Sequence, residues 1–228
     1  MKIAGIQKTT LVDYPGKIAS TVFTLGCNMR CPYCHNKQIA FDFAETELIS
    51  TEKVFEIIEE RKKFIDGISI SGGEPTLQPD LLAFCKEIKK RYGLLIKLDT
   101  NGSFPMIVKR AIEEKLVDYV ALDLKTSFSR YMECLGIDGG IIYKSYEIIR
   151  NSGIDYELRM TCYPDFINSS SLAELLGFLS PTDKIYIQKC NINQDEDQNE
   201  YYDQHQLELF GSILESKGFS CALVRGIA

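Results

Sequence analysis

Short β-rich runs alternate with amphipathic stretches along nearly all 228 residues, and this alternation limits the fold more than any other feature of the chain. The strand-like runs are 18–26, 67–71, 94–100, 117–125, 154–162, 184–190 and 220–225. Between them the spacing predicts helices over 51–64, 80–91, 105–115, 141–151, 171–178 and 202–217. In the first of these, Val54, Ile57, Ile58 and Ile65 recur at close to 3.6 residues, with Lys and Glu on the other face. Gly93, Gly153 and Gly218 each follow a helix and precede a strand, where a helix stop is expected. Strands alternating with helices imply a parallel sheet with right-handed crossovers. Six strand–helix units and a last strand fall short of the eight of a closed barrel. The expected architecture is therefore α/β, a partial open (βα)6 barrel, with a flat doubly wound sheet as the alternative. The length suits one domain over residues 1–228, with no internal repeat or linker. The acidic run 194–203 reads as a solvated loop.

Lys plus Arg number 26 and Asp plus Glu 32, so the formal charge is 26 − 32 = −6, with no basic face. That argues against nucleic-acid binding, because phosphate contacts need clustered cations. Residues 1–17 contain no continuous apolar region of the signal-peptide kind. No run approaches the ~18 apolar residues that a membrane span needs, and the expected location is the cytoplasm. Eight cysteines are present. Cys85, Cys134, Cys162, Cys190 and Cys221 are scattered singly and read as small buried apolar residues, while Cys27, Cys31 and Cys34 are clustered. In a reducing compartment, a cluster of cysteines points to a metal site rather than to disulfides.

The three lie in a loop after the first strand-like run, Gly26-Cys27-Asn28-Met29-Arg30-Cys31-Pro32-Tyr33-Cys34-His35-Asn36. Thiolates at spacings of four and three can wrap one face of a cubane 4Fe-4S cluster, which needs four ligands to close. Three would leave one iron open, and an open position marks a chemical site rather than a structural one. Zinc, with His35 or a distant cysteine as fourth ligand, is the alternative, and the cysteines by themselves allow either metal. Zinc sites, however, tend to pair two ligand knuckles, and no second pair occurs here. Pro32 and Tyr33 restrict the loop and place an aromatic face beside the metal.

Other unusual polar residues fall at the carboxyl ends of the strand-like runs, where α/β proteins bind ligands. They are Ser71-Gly72-Gly73-Glu74-Pro75, Asp99-Thr100-Asn101-Gly102, Asp123-Leu124-Lys125, Arg159 with Thr161, and Gln188. Asp123 and Lys125, two apart, share one face of their strand. Buried ion pairs that only support the fold are the alternative reading for Asp99, Asp123, Lys125 and Arg159.

Cys-x3-Cys-x-aromatic-Cys at the end of a first strand resembles the radical S-adenosylmethionine superfamily. The following Cys-His-Asn is similar to the activating enzymes of glycyl radical enzymes. Residues 10–17, Thr-Leu-Val-Asp-Tyr-Pro-Gly-Lys, narrow the likeness to the anaerobic ribonucleoside-triphosphate reductase activating proteins, relatives of the pyruvate formate-lyase activating enzyme. The resemblance covers residues 5–162 well and the last quarter weakly. It implies a 4Fe-4S cluster on Cys27, Cys31 and Cys34, with S-adenosylmethionine on the open iron. It also implies that Gly72, Gly73 and Glu74 bind the methionine amino group and that Lys125 meets the carboxylate. Tyr33, Asn101, Arg159 and Gln188 would complete the pocket. Asp99, Thr100 and Asp123 would form a monovalent-cation site beside the carboxylate. The relatives carry a histidine on strand six; here only His35 and His205 exist, and Gln188 is the nearest replacement. The implied chemistry is one-electron cleavage of S-adenosylmethionine to a 5′-deoxyadenosyl radical, with the electron from a flavodoxin- or ferredoxin-type donor. That radical takes hydrogen from a glycine of a partner glycyl radical enzyme, and no side chain acts as a general acid or base. A radical enzyme acting on a small molecule or peptide is the nearest alternative, and a non-catalytic zinc-binding module is the one from another class.

Overall fold

The computed structural model describes residues 1–190 and 201–225. Its strands are β1 (Ile3–Thr10), β2 (Ala19–Thr24), β3 (Gly67–Gly72), β4 (Leu95–Thr100), β5 (Tyr119–Asp123), β6 (Asp155–Cys162), β7 (Lys184–Lys189) and β8 (Ser220–Arg225). The helices are α1 (Lys37–Ala40), α2 (Thr51–Arg61), α3 (Leu81–Tyr92), α4 (Pro105–Glu113), α5 (Tyr131–Leu135), α6 (Gly139–Arg150), α7 (Ser169–Phe178) and α8 (Gln204–Ser216). All strands join one sheet in the order β1 to β8. β1 pairs antiparallel with β2, and every later pair is parallel. A doubly wound sheet reverses its strand order partway. Here each strand lies beside its predecessor, so right-handed crossovers carry the helices to the same face throughout. No pairing joins β1 to β8 among the described residues, so the barrel is open.

Parallel strands are commonly apolar on both faces. These alternate, because the two faces meet different surroundings. Ile68, Ile70, Ile96, Leu98, Val120, Leu122, Leu158, Met160, Ile185 and Ile187 are all buried in the hydrophobic core. The intervening positions carry Ser69, Lys97, Asp99, Ala121, Asp123, Glu157, Arg159, Thr161 and Gln188. The helices bury matching stripes, such as Leu81, Phe84, Cys85 and Ile88 of α3, each contributing about 1.5–3 kcal/mol. Gly93 stops α3 in the left-handed conformation (φ 64°), and the Asp203 carboxylate caps α8 by accepting from Gln206 N.

β1 is an addition to the strands expected from sequence. Gln7, Lys8 and Thr9 on it are exposed, so the run lacks the apolar alternation that marks a half-buried strand. The run expected at 117–125 is a strand only over Tyr119–Asp123, which puts Lys125 beyond its end. The acidic run 194–203 lies outside the described residues except for Tyr201, Tyr202 and Asp203. Among the described residues no helix is long and apolar enough to cross a membrane.

Candidate active site

The cysteine loop leaves β2 through Gly26 and is tied down at once. Gly26 N donates to Ile39 O (2.8 Å) and Cys27 N to Ala40 O (2.9 Å), so α1 clamps the loop from its far end. Cys34 N donates to Cys31 O (3.0 Å), closing a tight turn that brings the last two thiols round. Met29 N points at Cys27 Sγ (3.4 Å), and Asn101 Nδ2 lies 3.8 Å from the same sulfur. Burial pushes the Cys27 thiol up to about 11. Burial also raises Cys31, with Lys125 pulling the other way. Binding a metal ion or cluster would displace these protons.

The end of β3 is stitched to the same loop. Gly73 N donates to Thr24 O (2.9 Å) and Glu74 N to Gly26 O (2.8 Å). A Cβ on Gly73 would lie 2.0 Å from Gly26 O, and one on Gly72 (φ 109°) would lie 2.4 Å from Thr24 N. Both glycines are therefore required by the protein's own packing. Glu74 is buried at 1% exposure. Its carboxylate accepts from Thr76 N (3.0 Å), Thr76 Oγ1, Thr100 Oγ1 (2.8 Å) and Asn101 N (2.7 Å). Burial raises its pKa against the pull of those four donors. Four donors match the lone-pair capacity of a carboxylate. Glu74 thus joins the ends of β3 and β4, and its side chain is already engaged before any ligand arrives. Asn101 carries the tie onward, through Nδ2 to Asn28 Oδ1 (3.1 Å) in the cysteine loop.

The inward faces of β4, β5 and β6 hold an ion-pair network. Arg159 donates from Nε to Asp123 Oδ1 (2.7 Å) and from Nη1 to Asp99 Oδ2 (3.0 Å). Lys125 Nζ meets Asp123 Oδ2 (3.0 Å), and buried Lys97 pairs with Asp99. Ala121 sits between Asp99 and Glu157 in the register, and its small side chain leaves Arg159 room to reach across β5. Burial alone would raise both aspartates, but Arg159 with Lys97 or Lys125 holds them below the ordinary carboxylate range. Neither carboxylate keeps an uncompensated charge, and Thr100 Oγ1 is donated to Glu74. The side chains expected to hold a monovalent cation, Asp99, Thr100 and Asp123, are thus partnered within the chain by Lys97, Arg159, Lys125 and Glu74.

All fourteen residues singled out from sequence line one cavity of about 900 Å³: Cys27, Cys31, Tyr33, Cys34, Gly72, Gly73, Glu74, Asp99, Thr100, Asn101, Asp123, Lys125, Arg159 and Gln188. Gln188 accepts from Thr161 Oγ1 (3.4 Å). Tyr33 packs on Tyr163 and Phe166 (ring centroids 5.2 and 5.6 Å), and its buried hydroxyl has no hydrogen-bond partner. His35, which could have packed beneath the loop, is instead exposed and lines the cavity. Sequence reasoning missed Lys97 and Glu157, both buried and both lining the cavity, although each stands two residues before a residue it did select. It also missed Cys190, grouped with the scattered buried cysteines but lining the same cavity. Cys85 and Cys162 are buried as expected, Cys134 is partly exposed, and the Cys221 side chain lies outside the description.

Among the described residues no three His, Cys, Asp or Glu side chains converge where one ion could be held. That disfavours a mononuclear zinc site. A four-iron cluster does not require such convergence, since each thiolate takes a different iron. Three thiols, an unpartnered buried hydroxyl and a cavity of about 900 Å³ with charged and apolar walls fit a cluster with an organic ligand beside it.

Residues 21–176 match the Radical SAM superfamily. A putative glycyl-radical enzyme activating enzyme of Methanocaldococcus jannaschii is 34% identical over 82% of this chain and 79% of its own. The pyruvate formate-lyase-activating enzyme of Clostridium pasteurianum is 26% identical over 91% and 90%. Among solved structures, QueE from Escherichia coli superposes with a TM-score of 0.60 at 17% identity, covering 97% of this chain and 92% of that one. Streptococcus suis SuiB bound to S-adenosylmethionine gives 0.66 at 16%, covering 90% of this chain and 52% of that one. At these identities the structural likeness speaks for the fold alone.

Proposed function

The chain belongs to the radical SAM superfamily, among the glycyl-radical enzyme activating enzymes, and from that premise we propose that it generates a glycyl radical on anaerobic ribonucleoside-triphosphate reductase. The observation that carries the reading is one cavity lined by three loop thiols, the Gly72–Glu74 turn and the ion-pair network. Cys27, Cys31 and Cys34 hold a 4Fe-4S cluster through their thiolates. S-adenosylmethionine occupies the rest of the cavity, against Tyr33, Asn101 and Gln188. When bound, this pair of cofactors supplies reductive carbon–sulfur cleavage and, through it, abstraction of a hydrogen atom.

The chain's own residues bind, orient and exclude water. Lys125 is the cation best placed for the methionine carboxylate, because only one of its three N–H donors is engaged, with Asp123. Arg159 already donates through two positions to Asp99 and Asp123 and holds those carboxylates in place. Glu74 fixes the turn that carries the backbone of Gly72 and Gly73, and that backbone receives the amino group. A flavodoxin- or ferredoxin-type protein supplies the electron. The substrate glycine enters on a partner's loop, past Leu11 and Val12, which line the mouth and are each 73% exposed. The test is anaerobic reconstitution with iron and sulfide, followed by incubation with reductant, S-adenosylmethionine and the reductase. A glycyl-radical doublet in the EPR spectrum, dependent on all components, is expected. Its absence in the presence of a reducible cluster would remove the partner assignment.

A further inference from the structure

We propose that Asn101 is a positioning residue for the metal centre: its side-chain amide donates to the Cys27 sulfur and raises the cluster's reduction potential. A ring of hydrogen bonds with Asn28 and Ser103 holds the amide in that orientation. The inference rests on the reading above, that Cys27, Cys31 and Cys34 hold a 4Fe-4S cluster.

The direction of the amide follows from a backbone group. Ser103 N can only donate, and it lies 2.9 Å from Asn101 Oδ1, so Nδ2 is the atom that faces the cysteine loop. One Nδ2 hydrogen goes to Asn28 Oδ1 (3.1 Å). The other is left for Cys27 Sγ, 3.8 Å away, a hydrogen-bond distance for the larger sulfur atom. Since Asn28 Oδ1 accepts, Asn28 Nδ2 is the donor to Ser103 Oγ (2.9 Å). Ser103 Oγ returns its hydrogen to Asn101 Oδ1 (2.6 Å), the nearer of its two acceptors, Asn28 Oδ1 being at 3.3 Å. The ring therefore runs in one sense, and turning Asn101 over would set Nδ2 against the Ser103 N–H. Asn101 N is fixed in turn to Glu74 Oε2 (2.7 Å), and the residue is buried.

This placement joins the two sides of the cavity. Asn28 belongs to the cysteine loop, whereas Asn101 and Ser103 follow β4. Cys27 Sγ thus faces the Asn101 amide as well as Met29 N (3.4 Å). One electron entering a cluster from a low-potential donor adds negative charge that is shared with its thiolate sulfurs. An N–H aimed at such a sulfur favours the reduced form, and hydrogen bonds to the sulfurs are among the features that set cluster potentials. Asn28 and Ser103 act through Asn101 by fixing which way it points.

The full chain, its Asn101→Ala and Asn28→Ala variants and the double variant would be reconstituted anaerobically and titrated with a low-potential chemical reductant, the reduced cluster being counted by EPR. Asn101→Ala should be harder to reduce by roughly tenfold in the reduction equilibrium, ~59 mV for one electron. Asn28 is exposed, so Asn28→Ala leaves the core intact. It should move the potential the same way by less, and the double variant should match Asn101→Ala, because Asn28 acts only through it. A residue that merely tied the loop to β4 would lower the melting temperature and leave the potential where it was. An unchanged potential in Asn101→Ala with its full iron content would overturn the proposal. Should Asn101→Ala retain no iron, an unchanged potential in Asn28→Ala would overturn it instead. Failure of the parent to assemble a four-iron cluster would remove the cluster reading itself, and this inference with it.

Discussion

Arg159 is where a single residue decides most. Its guanidinium satisfies two carboxylates at once, Asp99 on β4 and Asp123 beside it in the register with β5. Removing it orphans buried charge, and breaking such a pair costs about 3–5 kcal/mol. Arg159→Met should therefore lower the stability of the cofactor-free chain by that amount at pH 7, read from urea midpoints. The sign of the pH dependence follows from the depressed carboxylates. A carboxylate whose folded pKa is lowered contributes fully above its unfolded value of about 3.9 and loses that contribution as pH falls through the folded one. The parent should keep this stabilisation from pH 7 down to about 4 and lose it below. An Arg159→Met chain as stable as the parent at neutral pH would show that Lys97 and Lys125 suffice for Asp99 and Asp123. The cysteines give a different expectation. Because Cys27 and Cys31 are held as thiols by burial, cluster assembly must release their protons and should slow as pH falls. Replacing any one of Cys27, Cys31 and Cys34 by Ala should abolish the cluster absorbance after reconstitution while leaving the far-UV circular dichroism intact.

The ends of β2 and β3 form one unit with the cysteine loop, and glycine is what lets them approach. A methyl on Gly73 would meet Gly26 O at 2.0 Å, backbone against backbone, with nothing flexible to yield. Gly73→Ala should cost about 1–3 kcal/mol by overpacking and should lower the iron retained on reconstitution, because the displaced atom adjoins Cys27. Gly177→Ala in α7 is the control. Nothing lies within 4 Å of its added methyl, and it should stabilise by about 0.4–1 kcal/mol with iron content unchanged. How much of this was legible beforehand depends on the kind of signal. Strands β2 to β8 could be read because their apolar residues are grouped and their helices are amphipathic. β1 could not, since an edge strand with exposed Gln7, Lys8 and Thr9 makes its contacts through backbone pairing rather than through a buried face. Lys97 and Glu157 were within reach, because a period of two puts them on the face of Asp99 and Arg159. Attention to strand ends passed over them. Cys190 was also within reach, since it ends the strand-like run 184–190 two residues after Gln188, which was selected. Glu74 was found as a residue, but its four protein donors come from three separate positions, Thr76, Thr100 and Asn101. Only the fold brings those together.

At the scale of the whole molecule, an open sheet leaves the cavity accessible, and the loop between β1 and β2 forms part of its wall. That loop is built to hold a shape. Thr10 Oγ1 accepts from Val12 N (3.3 Å) and Asp13 N (3.4 Å), Thr21 Oγ1 donates to Asp13 Oδ2 (2.5 Å), and Tyr14 is buried beneath. The frame presents Leu11 and Val12 outward at the mouth, where two adjacent large apolar side chains gain nothing from water. A net charge of −6 disfavours an acidic partner, and neither Leu11 nor Val12 at the mouth is charged. Apolar contact at the mouth is what these two exposed side chains offer a partner. Burying each of these side chains against a partner contributes about 1.5–3 kcal/mol, and each 1.4 kcal/mol is tenfold in affinity. Leu11→Asp combined with Val12→Asp should then raise the partner concentration needed for half-maximal glycyl-radical yield by at least tenfold. Slow cleavage of S-adenosylmethionine without partner should be unchanged, because neither side chain belongs to the ion-pair network or the cysteine loop. If the two activities fell in parallel, the loop would be shaping the cofactor pocket and the partner would be seated elsewhere.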